Sequence, residues 1–115
     1  MRHRLLICWC VMLLACTQAA ASDCTKDPYG NVVCGRGDCT RDQYGKVYCA
    51  QAGGGAKRDR YGNAVCGIGY CVIDDMGNVK CSRTPSGGAE RDSYGKAQCL
   101  DGCEDASPRY CELAR

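Results

Sequence analysis

Beyond residue 21 the chain has no tryptophan, no histidine and no phenylalanine. Its one Trp (Trp9) and one His (His3) both fall in the first 21 residues, and Phe is absent throughout. Without histidine the commonest general base and metal ligand is missing. Large aliphatics are also scarce, with eleven Val, Ile, Leu and Met residues after position 21. That is too little apolar surface to offset an ordering cost of about 1–2 kcal/mol per residue for the backbone alone. No run in this part approaches the roughly 20 apolar residues that span a bilayer. Neither sign of charge prevails, since 13 basic residues face 13 acidic ones after position 21. The signs interleave, as in Lys57-Arg58-Asp59-Arg60, and no basic stripe for nucleic acid or anionic lipid runs along the chain. No cofactor motif is recognisable.

The first residues supply the apolar run that the remainder lacks. Met1-Arg2-His3-Arg4 is a short basic head, an apolar stretch follows from Leu5 to Ala15, and small residues stand at Ala19 and Ala21. That order predicts a secretory signal peptide over residues 1–21 and a mature chain starting near Ser22. A rival cut lies at Leu13-Leu14-Ala15-Cys16, which resembles a bacterial lipobox and would make Cys16 the lipidated first residue. Either cut means export, to the periplasm or outside the cell. A membrane association follows only if Cys16 carries lipid.

What the mature region does have is cysteine. Three of the 13 cysteines (Cys8, Cys10 and Cys16) fall before residue 22, leaving an even ten. A dense, even set in a short exported chain predicts a disulfide framework in place of a hydrophobic core.

The cysteines punctuate a repeat. One segment recurs five times: Cys24 to Cys34, Cys39 to Cys49, Ala56 to Cys66, Cys71 to Cys81 and Ala89 to Cys99. A shorter, degenerate sixth copy is read from Cys103 to Cys111. Short connectors (35–38, 67–70 and 100–102) join the copies in pairs, and looser stretches (50–55 and 82–88) separate the pairs. The expected fold is therefore small, all-β and disulfide-rich. It consists of tandem short β-hairpins in three modules of two, at 22–55, 56–88 and 89–115, the last a capping repeat.

Each copy reads as a hairpin because Asp at the first turn position and Gly at the fourth fit a type I turn closed by a left-handed residue. Gly30, Gly45, Gly62, Gly77 and Gly95 hold the left-handed place, where a Cβ is penalised. Setting Asp27 opposite Asn31 and counting outward places Cys24 opposite Cys34 at a non-hydrogen-bonded site, close enough for a bridge. The favoured pairing is Cys24–Cys34, Cys39–Cys49, Cys71–Cys81 and Cys103–Cys111. Copies three and five begin with Ala56 and Ala89, so Cys66 and Cys99 are left to join each other. A rival scheme bridges the connectors through Cys34–Cys39, Cys66–Cys71 and Cys99–Cys103.

Chemistry beyond disulfides finds few candidates. Ser93 and Ser107 lack partners for a triad. Asp74-Asp75 is the obvious candidate for a carboxylate pair, and neighbours on a turn usually diverge. Thiolate metal sites would have to use the four-residue gaps of the connectors, the loose end of zinc spacing. Arg36-Gly37-Asp38 resembles the integrin-recognition tripeptide, but the second connector keeps both glycines while replacing the charged residues with Ile68 and Tyr70. The glycines therefore belong to the connector's geometry. Tyr29, Tyr44, Tyr61 and Tyr94 share one turn position, which Met76 takes in copy four. If the hairpins stack, these rings form a row suited to a protein or glycan; the bland expectation is that each ring covers its own or a neighbouring hairpin. The reading is a non-enzymatic, exported binding or structural module. A soft-metal or redox-thiol protein and an inhibitor displaying a rigid loop stand as alternatives.

Overall fold

A computed structural model describes residues 23–115. The expected signal peptide and Cys16 lie outside these residues. The described chain is all-β. Its first ten strands are β1 (Asp23–Lys26), β2 (Val32–Gly35), β3 (Cys39–Arg41), β4 (Val47–Ala50), β5 (Ala56–Arg58), β6 (Ala64–Cys66), β7 (Cys71–Ile73), β8 (Val79–Ser82), β9 (Ala89–Arg91) and β10 (Ala97–Cys99). They pair in sequence as five antiparallel hairpins.

The five turns are near-copies. In each the Asp carbonyl accepts from the glycine N–H three residues on, at 3.0–3.1 Å. The glycine φ angles lie between 81° and 85°, in the left-handed region that a side chain would strain. The Asp carboxylate closes the turn from beneath. Asp27 Oδ1, for example, accepts from the backbone N–H of Tyr29 and of Asn31, both at 2.9 Å. The counterparts Asp42, Asp59, Asp74 and Asp92 do the same at 2.9–3.0 Å.

The hairpins stack in register. First strands neighbour first strands, β1 to β3 to β5 to β7 to β9. At the turn end Gln43 N–H donates to the Gly62 carbonyl and Asp75 N–H to the Gly95 carbonyl, both at 2.8 Å. At the other end the stretches that look loose in sequence are knitted together. Asp38 N–H reaches the Gly54 carbonyl, Gly55 N–H the Gly69 carbonyl and Tyr70 N–H the Gly87 carbonyl, at 2.8–3.1 Å. Glycine is required here for proximity: a Cβ on Gly35 would overlap Cys49, and one on Gly67 would overlap the equivalent Cys81.

The core is thin and linear. Val47, Ala64 and Val79 hold one register position in successive hairpins and are all buried. Val65 packs with Val79 and Cys81 across the third and fourth hairpins. In the first hairpin the same position, Val32, is 64% exposed, since no hairpin packs on that side among the described residues. The fifth hairpin ends the stack with exposed Gln98 where the first and third carry Val33 and Val65. A polar outer face is what a terminal repeat needs.

Residues 103–115 do not form the expected sixth hairpin. β11 (Cys103–Asp105) pairs with β8, a short 3-10 turn spans Pro108–Tyr110, and β12 (Cys111–Leu113) pairs with β4. The segment carries no Asp-x-x-Gly turn, and Pro108 holds Ser107 extended (φ −143°, ψ 145°), as the residue before proline prefers. The chain therefore runs on as a strap across the second strands of the stack. Cys103, Ser107, Cys111 and Arg115 meet Ser82, Cys66, Ala50 and Cys34 in turn. Four strap residues thus pass for every sixteen of the stack. The strap has somewhere to bind for a simple reason. A non-hydrogen-bonded ladder position points its own N–H and C=O away from the hairpin, and buried groups of this kind need partners. Ser107 answers both groups of Cys66 (2.9 and 3.1 Å), and Arg115 answers both of Cys34 (2.7 and 3.1 Å).

Disulfides follow this architecture. Cys24–Cys34, Cys39–Cys49 and Cys71–Cys81 staple hairpins one, two and four, each with Cα atoms 4.0 Å apart. The expected Cys66–Cys99 and Cys103–Cys111 bridges are replaced by Cys66–Cys111 and Cys99–Cys103, with Cα separations of 5.2 and 5.0 Å. Of the rival connector bridges, Cys99–Cys103 is present, while Cys34–Cys39 and Cys66–Cys71 are not. Hairpins three and five carry alanine where their own partner would stand, and in both the remaining cysteine bonds to the strap.

Candidate functional site

The turn end of the stack is where exposed chemistry concentrates. Tyr29, Tyr44, Tyr61 and Tyr94 are 89, 82, 68 and 83% exposed, and Met76 takes the same place at 70%. The rings do not cover backbone, as the bland expectation had it. Their amide N–H groups are held by the turn aspartates, which fixes the Cα while the ring stands in solvent. Each turn is braced by its predecessor, whose second turn residue lies over the next turn glycine: Pro28 over Gly45, Gln43 over Gly62, Arg60 over Gly77 and Asp75 over Gly95. Arg60 Nη1 also donates to the Met76 carbonyl at 3.0 Å, and its guanidinium lies 5.1 Å from the Tyr61 ring centroid. The row thus sits on a rigid, bonded ridge.

Two clefts open between hairpins along this ridge. One of about 460 Å³, between the first and second hairpins, is lined by Tyr29, Tyr44, Val33, Val47 and strap residue Leu113. Its counterpart of about 320 Å³, between the third and fourth, is lined by Tyr61, Arg60, Val65, Lys80 and strap residue Asp105. They occupy equivalent places 32 residues apart along the stack. The first is apolar and aromatic; the second is crossed by the Lys80–Asp105 ion pair.

Other candidates are held in the scaffold. Asp74 is committed to its turn, whereas the Asp75 side chain lies against Gly95, so the two carboxylates diverge. Ser107 caps the 3-10 turn by accepting from Arg109 N–H at 3.3 Å. Arg36 forms an ion pair with Glu112 on the strap, and Gly37 is buried against the Gln51 carbonyl. Burial raises the Asp38 carboxyl above its ordinary value, with nearby Asp23 adding to the effect and Lys57 opposing it. Within Arg36-Gly37-Asp38 the glycine is thus built into the frame and Arg36 is tied to the strap, while both charged side chains stay exposed. All ten cysteines from Cys24 onward are in disulfides. Among the described residues no group of three or more His, Cys, Asp or Glu side chains could hold a metal, and no helix is long and apolar enough to cross a membrane.

The strap was legible in principle. Cys103-Glu104-Asp105-Ala106 and Cys111-Glu112-Leu113-Ala114 are two copies of Cys-Glu-x-Ala, eight residues apart. Each copy meets one two-hairpin unit in the same way: Ala106 N–H donates to the Val79 carbonyl and Ala114 N–H to the Val47 carbonyl, both at 3.1 Å. The likeness stops at the glutamates. Glu112 has Arg36, whereas the residue equivalent to Arg36 near Glu104 is Ile68, and Glu104 Oε1 is buried without a hydrogen-bond partner. No protein-family model, curated protein or solved structure matches this chain.

Proposed function

We propose that the protein is an exported, non-enzymatic binding module whose working face is the tyrosine row, displayed by a disulfide-stapled stack to a protein or glycan partner in the periplasm or outside the cell. The observation that carries this reading is the exposure of four tyrosines, 68–89%, at one turn position whose own amide N–H is held by the turn aspartate. Binding also carries a cost for ordering loops at the interface, and a turn already held by its aspartate carries less of it. Export is supported by five disulfides in a chain with almost no aliphatic core, a combination that suits an oxidising compartment. The two alternatives fare less well. A thiolate site has no free cysteine among the described residues, and an inhibitor loop would have to be a connector, yet Gly37, Gly67 and Gly69 are buried.

The test is a glycan and peptide array probed with the wild type and with the Tyr44→Ala/Tyr61→Ala variant. Loss of the bound features by a variant that keeps its circular dichroism and five disulfides is the expected result. Retention of every feature by the folded variant sinks the proposal.

A further inference from the structure

We propose that the turn ridge reads an acidic polysaccharide through four composite units, each pairing one tyrosine with one basic side chain. This rests on the tyrosine row being the binding face. Lys26, Arg41, Arg58 and Arg91 are the last residues of first strands, opposite Val32, Val47, Ala64 and Ala97. Each precedes its tyrosine by three residues, and all four are exposed. Dispersed along the chain they form no stripe. Stacking of the hairpins brings their strand-end positions into one column at the turn end, three residues before each tyrosine.

In the fourth hairpin ring and cation are both replaced. There Met76 replaces the tyrosine and Ile73 replaces the base. The turn itself is unaffected: Asp74 still accepts from Met76 and Asn78 N–H at 3.0 and 2.9 Å, and Gly77 keeps φ at 82°. Turn geometry therefore requires neither residue, and the two are lost as a pair, as expected of groups sharing an outward task.

The charge on this column is available to a ligand. The ion pairs among the described residues are Arg36–Glu112 and Lys80–Asp105, and neither uses one of the four cations. Arg41 reaches back to the Lys26 carbonyl, which occupies one of its five donors. The neighbouring acids Asp27, Asp42, Asp59 and Asp92 each accept two backbone N–H groups beneath their turns, where those dipoles offset part of their charge. Exposed ring faces stack on the apolar face of a sugar, and a guanidinium takes a carboxylate through two parallel bonds. A row of like subsites suits a ligand with its own repeat. The cations come one to each tyrosine-bearing hairpin and not as a continuous basic stripe, which suits intermittent carboxylates set between sugar rings better than the dense phosphates of a nucleic acid.

The test titrates the disulfide-bonded protein with polygalacturonate and with the same polymer fully methyl-esterified, which keeps the backbone and removes the charge. Polygalacturonate is expected to bind more tightly. Arg41→Ala/Arg58→Ala should weaken polygalacturonate by roughly tenfold and leave the ester unchanged, while Tyr44→Ala/Tyr61→Ala should weaken both. Ile73→Arg/Met76→Tyr, which completes the fourth unit, should tighten polygalacturonate by roughly threefold or more, a gain that misfolding would not produce. Equal binding of both polymers, insensitive to the arginines but lost with the tyrosines, overturns the acidic ligand and leaves the tyrosine face standing. Binding that survives the tyrosine changes, or no binding of either polymer, overturns the proposal. So does tighter binding of oligothymidylate than of polygalacturonate.

Discussion

Removing the Cys66–Cys111 bridge should cost more than removing any hairpin staple, and the difference can be worked from the connectivity. The bridge joins residues 45 apart, whereas Cys71–Cys81 joins residues 10 apart. Cys71–Cys81 and Cys99–Cys103 lie inside the larger loop and shorten its effective length to about 33 residues in the unfolded chain. Chain entropy then gives about 3.7 kcal/mol for Cys66–Cys111 against about 2.7 kcal/mol for Cys71–Cys81. Cys66 and Cys81 are both fully buried, so the cavities left by alanine are similar and largely cancel in the comparison. Cys66→Ala/Cys111→Ala should therefore be less stable than Cys71→Ala/Cys81→Ala by about 1 kcal/mol in guanidinium titrations under oxidising conditions. Hydrogen exchange adds a local reading. The Cys66 and Cys34 amides, whose acceptors are strap carbonyls, should lose protection in the first variant and keep it in the second. Equal losses of stability, or unchanged protection at these amides, would refute the view that this bond holds the strap.

Other expectations follow from single positions. Gly67→Ala should destabilise by about 1–3 kcal/mol through overpacking against Cys81, while Gly88→Ala, with open space around its Cβ, should be near neutral in the same titration. Asp92 is held below its ordinary value of 3.8, chiefly by the Lys96 N–H and next by the Gln98 side chain. Its stabilising effect is present above the unfolded value and lost as pH falls through the lower folded one. Gln98→Ala should accordingly move the Asp92 carboxyl resonance to a higher titration midpoint by NMR. Asp38 runs the other way. Its carboxyl is raised by burial and by Asp23 against Lys57, so the protonated form is favoured in the fold and that contribution fades as pH rises through the raised value. Lys57→Ala should raise the midpoint further, and an unchanged midpoint would contradict the assignment.

The hairpins were readable because their determinants are local. Asp27 and Gly30 lie within one turn, and a turn that fixes register also fixes that Cys24 faces Cys34. The destination of the last residues was not readable by the same logic. Cys103 and Cys111, eight apart, look like one more short hairpin if spacing alone is considered, but Ser107-Pro108 cannot turn as Asp-x-x-Gly does. Their true partners are set by the outward N–H and C=O groups of Cys66 and Cys34, which exist only once the stack has formed. The alanines at positions 56 and 89 were the available clue, since each marks a hairpin whose cysteine bonds elsewhere. The site divided in the same way. The tyrosine positions were visible as a repeat, whereas their exposure depended on each turn being braced by its neighbour, as Pro28 braces Gly45.

The strap also sets an order of assembly. Hairpins one, two and four can each close within ten residues of chain as it emerges N-terminus first. Cys66 has no such local partner and must wait until residue 111 has been made and released. For that interval Cys66 is unpaired among the described residues, as Cys99 is until Cys103 follows it. The Cys66–Cys111 bond is therefore the one that spans the longest stretch of chain, and a chain ending before Cys111 would leave Cys66 without its partner.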